Sequence, residues 1–156
     1  MIDIKINKLL ILVLTSTLAS CGMKISTIKN PDVYATHDFG FSQAVIFNNV
    51  IYGSGHVGWN KDYTLPSNSD FKKQFEQTLM NIEHLLESQK CTWQDVLHLR
   101  FYVVNLNAVK RESIGVFLKQ TFPNDYAPAT TLLGISALAR ENLLIEIEFT
   151  AKNRKQ

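Results

Sequence analysis

The chain has 156 residues, 46% apolar, 10% aromatic and 19% charged, with a formal net charge of +2. The apolar fraction is too high for a disordered chain, and the charge is too small for a phosphate-seeking nucleic-acid surface. Length allows one domain with a real core, seven Gly and four Pro rule out a low-complexity chain, and two cysteines cannot build a disulfide scaffold.

The N-terminus reads Met1-Ile-Asp3-Ile-Lys5-Ile-Asn-Lys8, then the apolar run Leu9–Leu14, then Thr15-Ser16-Thr17-Leu18-Ala19-Ser20-Cys21-Gly22. Lysines, a short apolar run and small residues are the layout of a secretory signal, and the run is too short to span a bilayer. Leu18-Ala19-Ser20-Cys21 resembles the lipobox of bacterial lipoproteins. That resemblance implies cleavage after residue 20, a diacylglycerol on Cys21 and a lipid-anchored protein of the bacterial cell envelope. Gly22 after the cysteine resembles the outer-membrane sorting choice of Gram-negative cells. Two or three acyl chains, each methylene contributing about 0.8 kcal/mol, hold a protein on a membrane where one chain would not. Loss of residues 1–20 removes Lys5, Lys8 and Asp3 and takes the charge from +2 to +1. It leaves Cys91 as the free thiol.

Residues 21–36 then read as the lipidated cysteine and a tether without periodicity, and 37–156 as the folded domain. Ser42–Phe47 and Val50–Gly55 are β-type runs around Asn48-Asn49, a pair that tolerates the positive φ of a tight hairpin. Ser67 or Ser69 is placed to cap a helix over about 70–89, with Ser67-x-x-Asp70 fitting a capping box. Phe71, Phe75, Leu79, Ile82 and Leu86 form its apolar stripe. Thr92-x-x-Asp95 opens a single turn, and Val96–Val104 alternates Leu97, Leu99 and Phe101 as a strand. Asn107 caps a second helix with the stripe Ile114, Phe117, Leu118 and Phe122, ended by Pro123. Thr130–Ile135 and Leu143–Ala151 are strands, the latter alternating Glu146 and Glu148 against Ile145, Ile147 and Phe149. The order β-β-α-β-α-β-β predicts a single-domain α/β (α+β) sheet with two helices on one face.

Few chemical constellations stand out. His37, His56, His84 and His98 have no metal-ligand spacing with one another or with Cys91, so each reads as a surface or satisfied core residue. Nothing beside Cys91 would lower its pKa. Glu146 and Glu148 share a strand face that is either solvated or holds one carboxylate in a pocket.

Phe39-Gly40-Phe41-Ser42-Gln43-Ala44 and Val50-Ile51-Tyr52-Gly53-Ser54-Gly55 resemble the opening hairpin of the RidA/YjgF family, G-P-Y-S-Q-A followed by V-x-x-S-G-Q. Gln77-Thr78 with Asn81-Ile82 is similar to its helix, Pro128-Ala129-Thr130-Thr131 to its P-A-R-S/T segment and Ile145-Glu146-Ile147-Glu148 to its V-E-I-E ending. The resemblance spans about 37–151. It implies a chorismate-mutase-like fold, a homotrimer with pockets between subunits, no cofactor, and hydrolysis of reactive enamines and imines to carbonyl compounds and ammonia.

Carried over by position, the family's catalytic residues correspond to Glu146, the carboxylate linked to water, and Thr130, which stands where the family has the arginine that clamps a substrate carboxylate. Phe41 and Gly55 correspond to its substrate pocket, with Phe41 in place of a tyrosine. A hydroxyl cannot replace a bidentate guanidinium. The expectation is therefore an altered or weak deaminase. The alternative is a non-catalytic, small-metabolite-binding envelope lipoprotein. Arg111 and Arg140, on a helix and a loop, read as surface residues rather than substitutes for the missing arginine. The family's older label, endoribonuclease, fits poorly with a charge near +1 and no basic run, and no nucleic-acid partner is expected.

Overall fold

The computed structural model describes residues 25–123 and 125–155. In chain order the elements are β1 (Ser26–Ile28), β2 (Ala44–Phe47), β3 (Val50–Val57), α1 (Phe71–Ser88), β4 (Val96–Val104), α2 (Ala108–Thr121), β5 (Ala129–Ile135) and β6 (Ile145–Lys152), with 3-10 turns at His37–Phe39 and Trp93–Asp95. They form one six-stranded sheet in the order β1-β2-β3-β6-β4-β5. Only the β4–β5 pair, joined through α2, is parallel. This is the expected single-domain α+β architecture with one strand added at the front.

That addition corrects the reading of 21–36 as a tether. Ser26–Ile28 pairs with Ala44–Ile46, and Val33, Tyr34 and Thr36 are buried. The cause is Gln43. Its amide donates to the carbonyls of Asn30, Val33 and Tyr34 and accepts from the Asn30 N–H, so it fixes a stretch whose own sequence has no period. Residues 1–24, including the signal-like segment and Cys21, lie outside the described residues.

Other expectations hold. Asn48 and Asn49 take φ of 50° and 60°, the left-handed pair of a two-residue hairpin turn, and Phe47 pairs with Val50. Asn107 caps α2 through the Lys110 N–H, and Thr92 and Asp95 form a capping box. The α1 cap is Asp70, which accepts from Lys73 N at 2.9 Å; neither serine serves. Leu97 is exposed although Leu99 and Phe101 are fully buried. The β4–β6 register jumps from Val96↔Ala151 to His98↔Thr150, and this bulge turns Leu97 out of the core.

Both helices cover one face of the sheet. Phe75, Ile82, Leu85 and Leu86 of α1 and Ile114 of α2 join Ile51, Leu99, Phe101, Ile145, Ile147 and Phe149 in the core. Cys91 is buried there, donating to the Lys152 carbonyl, and burial pushes its thiol pKa up. The opposite sheet face carries Glu146, Glu148, Arg100, Tyr102 and Tyr52.

Candidate functional site

At the centre of the sheet the β3–β6 ladder slips. Gly53 faces Phe149 and His56 faces Ile147, so Ser54 and Gly55 share the place of one residue opposite Glu148. The resulting bulge is held to β2 by Ser54, whose N–H and hydroxyl donate to the carbonyls of Gln43 and Ser42. Bulges re-aim side chains beside functional sites. Here both glycines are required by close approach. A Cβ on Gly53 would stand 2.1 Å from the Phe149 ring, and one on Gly55 would stand 1.8 Å from Glu146 Oε1.

Glu146 lies over Gly55 at the base of a cleft of about 630 Å³. Phe41, Gly55 and Glu146, which the sequence singled out, all line it, joined by Tyr34, Trp59 and Arg140. Its aromatic wall is a connected set. Tyr34 meets Trp59 edge-on at 5.3 Å between centroids, Phe39 and Phe41 stack at 6.1 Å, and Tyr63 touches Tyr34, Phe39 and Trp59. Buried polar side chains fix the wall. Asn81 of α1 donates to the carbonyls of Val57 and Trp59, and the Tyr34 hydroxyl accepts from Val57 N at 3.0 Å.

Behind the wall, His56 is fully buried. Its Nε2 lies 3.0 Å from the Gln43 carbonyl, which can only accept. The proton is therefore on Nε2, and Nδ1 faces the Tyr34 hydroxyl at 3.5 Å as an acceptor. Burial lowers the His56 pKa to about 4 and raises that of Tyr34. This neutral pair is part of the scaffold. Among the described residues no group of His, Cys, Asp and Glu could hold a metal ion.

The two carboxylates of β6 are in different circumstances. Glu148 pairs across the sheet with Arg100 at 3.6 Å and accepts from the Tyr102 hydroxyl at 3.3 Å. Glu146 has neither a salt bridge nor a hydrogen bond among the described residues. Desolvation and, to a lesser extent, the Glu148 charge raise its pKa above the ordinary carboxylate value. The carboxylate left without a partner is the one able to exchange a proton with a bound molecule.

Arg140 reaches the same cleft from the β5–β6 loop, with no ion pair or side-chain hydrogen bond among the described residues. Its loop is pinned by Gln74 of α1, which donates to the Asn142 carbonyl and accepts from the Leu144 N–H, each at 2.8 Å. The expectation of a surface side chain holds for its exposure. It fails for its location, because contacts so distant in sequence leave no local signal. Trp59 and Tyr34 were missed for the same reason. Thr130 lies on edge strand β5, where it pairs with Leu99, and its hydroxyl donates to the Pro128 carbonyl at 3.1 Å. It does not line the cleft of its own chain. Arg111 is on α2. Cys21 lies outside the described residues.

A mixed sheet backed by two helices, with a carboxylate over a glycine bulge at its centre, defines the class of protein. The chain belongs to the RidA/YjgF family: the model of that family, described as endoribonuclease L-PSP, matches residues 14–153. A curated relative, 2-iminobutanoate/2-iminopropanoate deaminase of Dermatophagoides farinae, is 26% identical over 108 residues, covering 69% of this chain and 81% of its own. Among solved structures, the Rid-family protein YyfA of Yersinia pestis, of unknown function, superposes with a TM-score of 0.72 at 27% identity, over 83% of this chain and 99% of that one. RidA of the Antarctic bacterium Psychrobacter shares the fold, with a TM-score of 0.70 at 23% identity over 81% and 98%.

Proposed function

We propose that the protein is an imine or enamine hydrolase of altered specificity, acting as a homotrimer lipid-anchored through Cys21 in the bacterial cell envelope. The observation that carries the catalytic reading is the unpaired, desolvated Glu146 carboxylate facing an aromatic cleft. Water adds to the imine carbon while Glu146 accepts one of its protons. The carboxylic acid returns that proton to the nitrogen to give the neutral carbinolamine, and the carboxylate then carries the hydroxyl proton to the same nitrogen as the carbon–nitrogen bond breaks, releasing ammonia and a carbonyl compound. A carboxylate whose pKa is raised toward neutrality is suited to both transfers. The deaminase named among the relatives supports the reaction class.

Specificity follows from what surrounds Glu146. Thr130 offers no cation and Phe41 no hydroxyl, so the substrate is held by aromatic faces, with Arg140 the one cation among the described residues that line the cleft beside the two glutamates. Apolar imines fit this lining better than small imino acids, on which activity is weak. The trimer is supported by a sheet with helices on one face only and exposed Tyr52 and Leu133 on its strands.

A second reading, binding of a small metabolite without turnover, is favoured by the Thr130 hydroxyl, which is taken up by the Pro128 carbonyl. Ammonia release from imines generated in solution separates the two. Hydrolysis predicts turnover that Glu146→Gln abolishes. Thermal stabilisation by the same compounds with no ammonia released would leave the binding reading.

A further inference from the structure

Across Phe41 from the Glu146 cleft lies a second cavity of about 410 Å³, between the loop after β1 and the start of β2. Its lining reverses the charge of the first. Among the described residues, Lys29, Lys61 and His37 are its ionisable side chains, and no Asp or Glu lines it. Neither lysine makes a salt bridge or hydrogen bond among the described residues. The carboxylate next to Lys61, that of Asp62, is already engaged by the Thr64 hydroxyl at 2.6 Å and N–H at 3.2 Å.

The second observation is Thr36, which lines the cavity and is 4% exposed. It stands at the cap position of the His37–Phe39 turn, yet its hydroxyl makes no capping bond or any other among the described residues. The hydroxyl oxygen itself stays accessible from the cavity and is free to donate to a bound group. Ile28 and Val33, each 3% exposed, give the cavity an apolar side.

We propose that this cavity binds a phosphate monoester. Lysine ammonium groups serve phosphate as point charges, two of them match a dianion, and the cavity has no arginine to fork a carboxylate. The Thr36 hydroxyl donates to the phosphate, Lys29 and Lys61 neutralise it, and the rest of the ligand lies against Ile28, Val33 and Phe41. A volume above that of phosphate alone leaves room for this organic part. The phosphate belongs either to a free metabolite or to a lipid headgroup.

Calorimetric titration of the full chain with glycerol 3-phosphate tests the site, alongside co-sedimentation of the Cys21→Ser chain, which takes no acyl anchor, with phosphatidylcholine vesicles with and without phosphatidic acid. The expected result is one salt-sensitive site per chain, weakened about tenfold or more by Thr36→Val and by the Lys29→Met/Lys61→Met pair. Sedimentation that requires phosphatidic acid and is lost in the lysine variant assigns the phosphate to a headgroup. Binding of glycerol 3-phosphate without such sedimentation assigns it to a soluble metabolite. The lysine variant alters exposed side chains only and carries the test if Thr36→Val does not fold. No binding at millimolar glycerol 3-phosphate, or equal binding by wild type and the lysine variant, overturns the proposal.

Discussion

Gly55→Ala isolates the contact on which the site is built. The added Cβ would stand 1.8 Å from Glu146 Oε1, 2.6 Å from Cδ and 3.0 Å from Cγ. To reach an ordinary van der Waals separation the carboxylate must retreat by more than about 1 Å. Its end faces open cleft, and Gly55 is not among the residues at positive φ, so the retreat leaves the fold nearly unaffected, with a change under about 1 kcal/mol. Catalysis is less tolerant: a displacement of about 1 Å lowers turnover roughly a hundredfold. Gly53→Ala is the internal control. Its Cβ meets the buried Phe149 ring at 2.1 Å, and that ring has nowhere to go. Overpacking of this kind costs about 1–3 kcal/mol, or roughly 4–12 °C in Tm. Ammonia-release kinetics and melting curves on both variants read the contrast. Gly55→Ala with wild-type turnover would refute the claim that the bulge aims Glu146 for chemistry.

Other outcomes follow from the buried groups and the N-terminus. The raised Glu146 pKa means that the folded state binds more protons than the unfolded state above the unfolded value, so stability falls as pH rises through that window. Glu146→Gln should therefore melt higher than wild type at pH 7, with the gap closing below about pH 4, where both are neutral. His56 has the opposite sign. Its pKa is depressed to about 4, so its contribution is complete above the unfolded value near 6.5 and is lost as pH falls toward 4, a difference of about 3 kcal/mol. Chemical denaturation at pH 7 and pH 4 should show this loss in wild type and a smaller one in His56→Gln. Cys21→Ser should abolish acyl labelling and move the protein out of the membrane fraction; unchanged membrane association would contradict the anchor.

Local rules carried the fold where they acted alone. Asn48-Asn49 marked the hairpin because positive φ at two adjacent positions is a property of those residues. The alternation through Ile145, Glu146 and Ile147 announced a strand with one polar face. Leu97 followed the same alternation and came out exposed, because the bulge at that point inserts one extra residue and shifts the period. The tether reading failed because Gln43, far from the ends of the segment it organises, supplies the partners for Asn30, Val33 and Tyr34. At the site, Phe41, Gly55 and Glu146 were legible through motif order. Arg140 was visible as a residue but not as part of the cleft, since Gln74 of α1 sets its loop. The alternation alone does not distinguish Glu146 from Glu148; only the motif did. The difference is made by Arg100, on a neighbouring strand.

The central claim is that the unpaired carboxylate of Glu146 handles the proton of the attacking water, and the pH profile of kcat/KM for imine hydrolysis tests it most directly. The account predicts an acid limb with an apparent pKa above the ordinary glutamate value of about 4.3, absent from the residual activity of Glu146→Gln. The same limb in wild type and Glu146→Gln, or full turnover by the variant at neutral pH, would contradict it.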